Sequence, residues 1–143
     1  MTMLIQHVET DNIQQVWPMV EGFLDDALAK GHDFPEWASS YNISHIQMFL
    51  TSGQWMLLVA VGEEGKIHGA ATISFINYPL HRAAFVTAAG GKFIITPEVM
   101  EQLKVIAKVR GATKIQAYGR ESMVRLLSKS GFEPRNTLVE VLI

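Results

Sequence analysis

The chain has 143 residues, of which 48% are apolar and 18% charged, so it is long enough for one domain with its own core and too apolar to be disordered. Its formal charge is -2, and its Lys and Arg residues form no long runs, which argues against nucleic-acid binding by phosphate neutralisation. The chain contains no cysteine, which excludes disulfides, thiolate catalysis and cysteine-based zinc sites.

The N-terminal part of the chain predicts a strand followed by a long helix. Residues 3–8 form the strand, and Thr10 and Asp11 offer caps for the helix. One side of this helix is apolar and consists of Ile13, Val16, Trp17, Val20, Phe23, Leu24 and Leu28. Pro18 is expected to kink the helix or to mark the start of a second segment.

The middle of the chain predicts a short helix and three antiparallel strands. An irregular loop over residues 31–41 leads into the helix, over residues 42–50. Residues 55–62 form a near-continuous apolar run, which is typical of a central strand buried on both faces. A polar hairpin turn joins it to a second strand over residues 67–76, and residues 83–89 form the third.

The last third of the chain predicts helix, strand, helix and strand with little between them. A hydroxyl cap followed by a proline opens a helix at Thr96, and a glycine closes it at Gly111. Residues 113–118 form a short strand, and residues 122–130 form a second amphipathic helix. Residues 137–143 are expected to be the final strand.

This order of elements, with the segment Leu126-Leu127-Ser128-Lys129-Ser130-Gly131-Phe132, resembles the GNAT-fold acetyltransferases, whose last helix ends in a Tyr-x-Lys-x-Gly-Phe pattern. The resemblance implies a single α/β (α+β) domain over residues 1–143, with a mixed, mostly antiparallel sheet and helices on both faces. It also implies that the sheet splays between the strands at 83–89 and 113–118. Acetyl-CoA would lie in that splay, with its pyrophosphate held by a loop and the next helix N-terminus.

Six residues are the candidates for cofactor binding that this resemblance implies. They are Gly90, Gly91, Lys92, Thr96, Arg120 and Ser122. Gly90, Gly91 and Lys92 would form a phosphate nest, and the alternative is a glycine pair that ends a strand. Arg120 would clamp a phosphate or an acidic group. Ser122 is explained equally well as a polar residue at a helix N-terminus.

Three residues are candidates for catalysis, and no metal site is expected. Tyr118 lies at the end of the strand at 113–118, from where it would reach the cleft, and its alternative is a half-buried strand aromatic. His32 and Glu36 lie in the loop over residues 31–41, where GNAT enzymes gather their acceptor substrate. Polar clusters of this kind are also common in ordinary loops.

Several positions depart from the family's pattern. Ile95 and Pro97 stand where the phosphate loop has small residues, and Pro97 has no N–H to donate. The strand over residues 83–89 has no carboxylate that could act as a general base. Leu127 stands where the family has the tyrosine that protonates the departing thiolate. The sequence therefore predicts a degenerate site that binds acetyl-CoA weakly.

The runs over residues 85–91 and 111–132 also resemble small GNAT-like proteins of short-tailed phages. This resemblance implies a non-catalytic role in the virion or in head assembly, with phage structural proteins or further copies of the chain as partners. Neither nucleic acid nor a membrane is an expected partner. The alternative is an active acyl-CoA-dependent N-acetyltransferase acting on a small amine or a protein amine, because such attack needs mainly positioning and an oxyanion donor.

The expected location is the cytoplasm. The N-terminus lacks the apolar core of a signal peptide, and the longest apolar run, residues 55–61, is too short to span a bilayer. For a phage-encoded protein this means the host cytoplasm, or the virion itself.

Overall fold

A computed structural model describes residues 3–30, 40–119 and 121–143, except for the side chains of residues 30, 121 and 122. Within these residues the strands are β1 (Leu4–Val8), β2 (Trp55–Val61), β3 (Ile67–Asn77), β4 (Arg82–Gly91) and β5 (Lys114–Ala117). The helices are α1 (Ile13–Lys30), α2 (Ile43–Thr51), α3 (Pro97–Val109) and α4 (Glu121–Ser128).

The five strands form one sheet in the order β1-β2-β3-β4-β5. The first four are antiparallel to their neighbours, and β5 runs parallel to β4. β4 and β5 are in register only from Ala83 and Lys114 to Val86 and Ala117, although β4 continues to Gly91. The predicted mixed, mostly antiparallel sheet with a splay between these two strands is therefore confirmed.

The sheet is buried on both faces, because helices cover each of them. α3 packs on one face, where Met56 and Leu58 of β2 belong to the core. α1 and α2 pack on the other face, where Leu57 and Val59 of the same strand are buried. The continuous apolar run of β2 follows from this arrangement, since a strand covered on both sides has no polar face.

Helix α1 runs unbroken through its internal proline. Pro18 lies in the sixth position of the helix and faces solvent, so of the two alternatives offered by the sequence, the start of a second segment at this residue is wrong. Proline deprives the carbonyl of Gln14 of its helical donor. The helix persists because Trp17, Val20 and Leu24 on its other side are buried against the sheet.

Helix α4 ends in a Schellman turn, with Gly131 at a φ of 93°. The N–H of Phe132 donates to the carbonyl of Leu127 at 3.2 Å, and the N–H of Gly131 donates to the carbonyl of Ser128 at 3.1 Å. This turn brings the ring of Phe132, half-buried, against the core on the α3 side of the sheet.

The predicted final strand over residues 137–143 is wrong. This segment has no regular structure, and its apolar side chains are exposed, with Val139 at 84% and Val141 at 82%. A strand forms only beside another backbone with which its N–H and C=O groups can pair, and no described residue is in register with this segment. Strand propensity alone was not sufficient.

The outer edge of β1 is occupied by a side chain of α3. Gln102 accepts a hydrogen bond from the N–H of Ile5 at 2.7 Å and donates one to the carbonyl of Met3 at 2.9 Å. These two backbone groups would otherwise be available to another strand. Gln102 therefore ties α3 to the sheet and closes this edge against further pairing.

The contact between β1 and the C-terminal end of α3 generates a pH prediction. The guanidinium of Arg110 lies 3.2 Å from Nδ1 of His7. Burial and then Arg110 lower the pKa of His7 below its ordinary value of 6.5, while Glu9 opposes this in part. The unfolded chain therefore binds this proton more readily than the folded chain, so the contribution of His7 to stability is present above pH 6.5 and is lost as the pH falls through 6.5 toward the folded pKa.

We expect His7→Gln, which keeps an acceptor for Arg110 but cannot titrate, to lose less thermal stability than the wild type on acidification. Melting temperatures of both proteins at pH about 7.5 and about 5.5 measure this difference. Parallel pH dependence in the two proteins would show that His7 is not the titrating group.

Candidate functional site: a cleft beside the splay

A cleft of about 200 Å³ opens where β4 and β5 separate, on the face of the sheet that carries α1 and α2. Its walls combine aromatic rings with small hydroxyl side chains. The lining residues are Ser40, Tyr41, Trp55, Ser74, Ile76, Phe85, Thr87 and Tyr118. They come from β2, β3 and β4, from Tyr118 just beyond β5, and from Ser40 and Tyr41 just before α2. The separation of β4 from β5 therefore creates the space.

One wall of the cleft is a packed group of three aromatic rings. The ring of Phe49 stacks on that of Trp55 with centroids 4.5 Å apart, and Tyr41 meets Trp55 edge to face at 5.1 Å. Trp55 is only 9% exposed as a result. Because each ring is held by the others, this wall presents a fixed apolar surface to the cleft.

Tyr118 stands at the fork itself, one residue beyond the last paired position of β5. Its ring meets Phe85 of β4 edge to face, with centroids 5.1 Å apart, and the residue is 51% exposed. The tyrosine thus lines the cleft from the sheet side, and it is also the partly buried aromatic at the end of a strand that the sequence offered as the alternative. Its role as a general acid stays a prediction.

The floor of the cleft contains a buried pair of hydroxyl groups at an irregularity in β4. The register passes from Thr72 opposite Ala88 to Ile73 opposite Val86, so Thr87 has no partner of its own. Thr87 donates its hydroxyl hydrogen to the carbonyl of Thr72 at 3.1 Å, and the two threonine Oγ1 atoms are 2.7 Å apart. Both hydroxyl hydrogens are therefore used within the protein, and Thr87 offers a ligand only acceptor capacity.

The cleft is uncharged over the residues that the structure describes. None of its described lining residues carries a carboxylate, an imidazole or a basic group, and its titratable side chains are those of Tyr41 and Tyr118. The same part of the chain contains no group of three His, Asp or Glu residues that could hold a metal ion. This arrangement can position an apolar or aromatic group, but it supplies no base from these walls.

Gly90 and Gly91, the glycine pair at the end of β4, allow α1 to pack closely against this strand. A Cβ on Gly90 would overlap the carbonyl oxygen of Phe23 in α1, and one on Gly91 would come within 2.6 Å of the Phe23 ring. Gly91 also has a φ of 66°, which favours glycine. The N–H of Lys92 donates to the carbonyl of His68 at 2.8 Å, so a phosphate nest here would have to form without that donor.

The N-terminus of α3 is largely satisfied by its own residues. Thr96 is the N-cap, and its hydroxyl accepts the N–H of Val99 at 3.2 Å. Pro97 occupies the first position and has no N–H. Among the first three residues of the helix, only Glu98 retains an N–H without a protein acceptor, and its own carboxylate lies in the same turn. Within this first turn, an anion would therefore meet one unbonded N–H group and one negative charge.

The remaining candidates from the sequence are only partly placed. His32, Glu36 and Arg120 lie outside the described residues. Ser122 is in the first turn of α4, but its side chain is not described. The structure therefore brings Tyr118 to the cleft, places the glycine pair and Lys92 at the end of β4, and puts Thr96 at the start of α3.

Sequence reasoning missed most of the cleft's lining. Ser74 and Thr87 are hydroxyl residues within otherwise apolar strands, and Trp55, directly opposite Ser74 in the register, begins the central strand. Polar residues at such positions were an available signal, since a buried strand otherwise has little use for them. The irregularity at Thr87 left no comparable sign, and it decides which side chains of β4 face the cleft.

Comparison with solved structures supports the fold independently. The chain is similar to a crystal structure of a probable acetyltransferase, with a TM-score of 0.66 and 11% identity, covering 99% of this chain and 97% of that one. It is similar to an aminoglycoside acetyltransferase from an uncultured soil metagenomic sample in complex with sisomicin, with a TM-score of 0.66 and 12% identity over 99% and 95% of the two chains. It is also similar to a predicted acetyltransferase with acetyl-CoA from Clostridium acetobutylicum, with a TM-score of 0.61 and 16% identity, covering 99% of this chain and 96% of that one.

The chain therefore has the GNAT acetyltransferase fold, and at these identities the likeness shows the fold alone. No family model matches the chain, and no curated protein matches it. No helix among the described residues is long and apolar enough to cross a membrane.

The close approach of α1 to β4 is tested by Gly90→Ala. The added Cβ would overlap backbone of α1, so helix and strand must move apart, and we expect a loss of about 1–3 kcal/mol in the free energy of unfolding. Gly22→Ala is the matched control, because nothing lies within 4 Å of a Cβ there and it should stabilise α1 by about 0.5–1 kcal/mol. Urea denaturation measures both, and a Gly90→Ala protein as stable as the wild type would refute the contact.

Proposed function

We propose that this chain is a GNAT-fold protein whose acetyl-CoA site has become weak, and that it acts through contacts with other proteins rather than by acetyl transfer. The observation that carries the proposal is the N-terminus of α3. In the resembling family this helix end helps to hold the cofactor's pyrophosphate. Here Pro97, Glu98 and the cap at Thr96 leave a single unbonded backbone donor in the first turn of the helix, beside a carboxylate.

The preceding loop adds little to the grip on a phosphate. Ile95 packs partly against the core on the α3 side, and Phe93 is buried there at 8% exposure. Both are bulky residues, whereas a phosphate approaches the backbone most closely at small residues. Lys92 is exposed and is a candidate for the positive charge in this loop. An exposed lysine without a set of backbone donors is a loose phosphate ligand, since its charge is screened by water.

The side chains of the cleft are consistent with an absence of catalysis as well as with weak binding of the cofactor. Its described walls offer the hydroxyl of Tyr118 but no carboxylate or histidine to take a proton from an amine. Leu127, where the family has a tyrosine, is a half-buried apolar residue. Fold and activity are separable in this way because chemistry depends on particular side chains.

A role through protein contacts follows from the phage resemblance of residues 85–91 and 111–132 and from the exposed apolar end of the chain. Leu138, Val141 and Leu142 are each more than half exposed. Apolar surface of this kind marks interaction sites in soluble proteins. The partners we propose are phage structural proteins or further copies of the chain, in the host cytoplasm or the virion, and not nucleic acid or a membrane.

The second candidate function is an active N-acetyltransferase, and one observation favours it. Residues 87–91 of β4 are not paired with β5, and Thr87 among them lines the cleft, so this unpaired backbone could receive an extended ligand that carries amides, as the pantetheine arm does. Attack by a neutral amine on a thioester held there would rely on positioning. This candidate requires the cofactor to bind well despite the N-terminus of α3.

Calorimetry with acetyl-CoA separates the two candidates. We expect the wild type to bind with a dissociation constant of about 0.1 mM or weaker. Lys92→Ala should abolish this binding. The double variant Pro97→Ala/Glu98→Gln restores one N–H and removes one negative charge, so it should bind about tenfold more tightly, equivalent to about 1.4 kcal/mol.

The control is Glu101→Gln, which removes the same charge from the next turn of α3, where Glu101 is exposed and paired with Lys104. It should leave affinity within about twofold of the wild type. Micromolar binding by the wild type, with acetyl transfer to a simple amine, would favour the enzyme. An unchanged affinity in the double variant would show that the α3 N-terminus is not what limits binding.

A further inference from the structure

A row of aromatic residues crosses the cleft and is interrupted at one position. On one side, Tyr41 meets Trp55 with ring centroids 5.1 Å apart, and on the other, Phe85 meets Tyr118 at the same separation of 5.1 Å. Between the two pairs lies Ser74, which is opposite Trp55 on β2 and opposite Phe85 on β4. Residues directly opposite each other in a sheet lie on the same face, and all three line the cleft. The serine is thus a small residue in a row that otherwise consists of rings.

The spacing of the strands makes the space above Ser74 about as wide as one aromatic ring. Neighbouring strands lie about 4.8 Å apart, so the backbones that carry Trp55 and Phe85 are about 10 Å apart. Because side chains stand roughly perpendicular to a sheet, a ring above Ser74 would lie about 5 Å from the ring on either side, within the range at which aromatic pairs attract each other.

The volume of the cleft leads to the same size of ligand. The cleft has about 200 Å³. A cavity of about 150 Å³ in another protein binds benzene, whereas sites for drug-sized ligands begin at about 300 Å³. One ring with a small substituent therefore fits the cleft.

The floor of the cleft requires a hydrogen-bond donor on that ring. Thr87 donates its only hydroxyl hydrogen to the carbonyl of Thr72, so in the 2.7 Å contact between the two hydroxyl groups Thr72 is the donor. A hydroxyl oxygen has two lone pairs, and one on Thr87 is left for a ligand. A carbonyl or carboxylate oxygen of a ligand would be repelled by this lone pair, whereas an O–H group would donate to it.

The absence of acidic side chains disfavours a charged donor. None of the described lining residues carries a carboxylate. An ammonium group would therefore lose its water in the cleft without gaining an opposite charge from these walls. An uncharged hydroxyl group donates to Thr87 without this cost.

We propose that the cleft binds a phenol, an uncharged aromatic ring with one hydroxyl donor, so that the ring lies above Ser74 and the hydroxyl donates to Thr87. The phenol is either a free small molecule or the tyrosine side chain of a partner protein. This proposal goes beyond the function proposed above, because neither candidate function names a ligand for these walls, and it is independent of how tightly acetyl-CoA binds.

An NMR titration of the 15N-labelled wild type with 4-ethylphenol tests the proposal. We expect saturable shifts of the amides of Ser74, Phe85 and Thr87 with a dissociation constant of about 1 mM, an ordinary affinity for so small a ligand. Its isomer 4-methylanisole has the same size but no donor, so it should bind at least about fivefold more weakly. Benzylamine, an ammonium ion at neutral pH, should give no saturable shifts. Equal binding of the two isomers, or no saturable binding of 4-ethylphenol up to about 10 mM, would overturn the proposal.

Two substitutions at Ser74 locate the ring. Ser74→Leu fills the space between Trp55 and Phe85 and should abolish the binding of 4-ethylphenol. Ser74→Ala is the matched control, because it keeps the space, and it should change the affinity by no more than about threefold. The amide spectrum of each variant away from the cleft shows whether it is folded. A folded Ser74→Leu protein that binds as the wild type does would overturn the proposal.

N-acetyl-L-tyrosinamide separates the two sources of the phenol. An affinity at least equal to that of 4-ethylphenol would indicate the tyrosine side chain of a partner, because the cleft then admits the backbone that carries the ring. An affinity about tenfold lower or weaker would indicate a free small phenol.

Discussion

The parallel pairing of β4 with β5 stops after Val86 and Ala117, and the position and the lining of the cleft depend on where this pairing ends. Beyond it no strand among the described residues lies beside β4 on that side, and a cleft opens between two strands of one sheet. Tyr118 lies at the fork because it follows the last paired residue. Thr87, unpaired in the register with β3, lies one residue past the stop on the other strand, so the two sides of the fork face each other across the cleft.

Packing around the end of β4 and the start of α3 occupies backbone groups that could contact an anion. At its far end, β4 is pressed against α1 at Gly90 and Gly91, and the helix that follows, α3, begins with a self-contained cap. These contacts stabilise the fold, and they leave the N–H groups of Lys92 and Val99 bonded within the protein and Pro97 without one. The function proposed above interprets the molecule as a scaffold with an aromatic cleft and a poor anion site, which keeps the shape of an acetyltransferase while its grip on the cofactor is reduced.

The sequence predicts the structural features whose signal lies in neighbouring residues, and it fails where a feature depends on distant ones. The apolar run of β2, the cap and proline at Thr96 and the glycine at Gly131 are local signals, and the structure matches each of them. The strand predicted over residues 137–143 is wrong because its signal is also local, whereas a strand needs a neighbouring backbone, and none of the described residues pairs with this segment. The bulge at Thr87 and the rings around Trp55 depend on distant parts of the chain, so no short pattern could reveal them.

The most direct test of the weak anion site is an NMR titration of 15N-labelled protein with coenzyme A, which reads each backbone amide separately. We expect the amides of Gly91, Lys92 and Glu98 to shift by small amounts that are still unsaturated at about 1 mM ligand, with no group of residues at the α3 N-terminus responding together. Saturable shifts of those amides at micromolar coenzyme A would contradict the account, because they would show that this end of the cleft binds the pyrophosphate well.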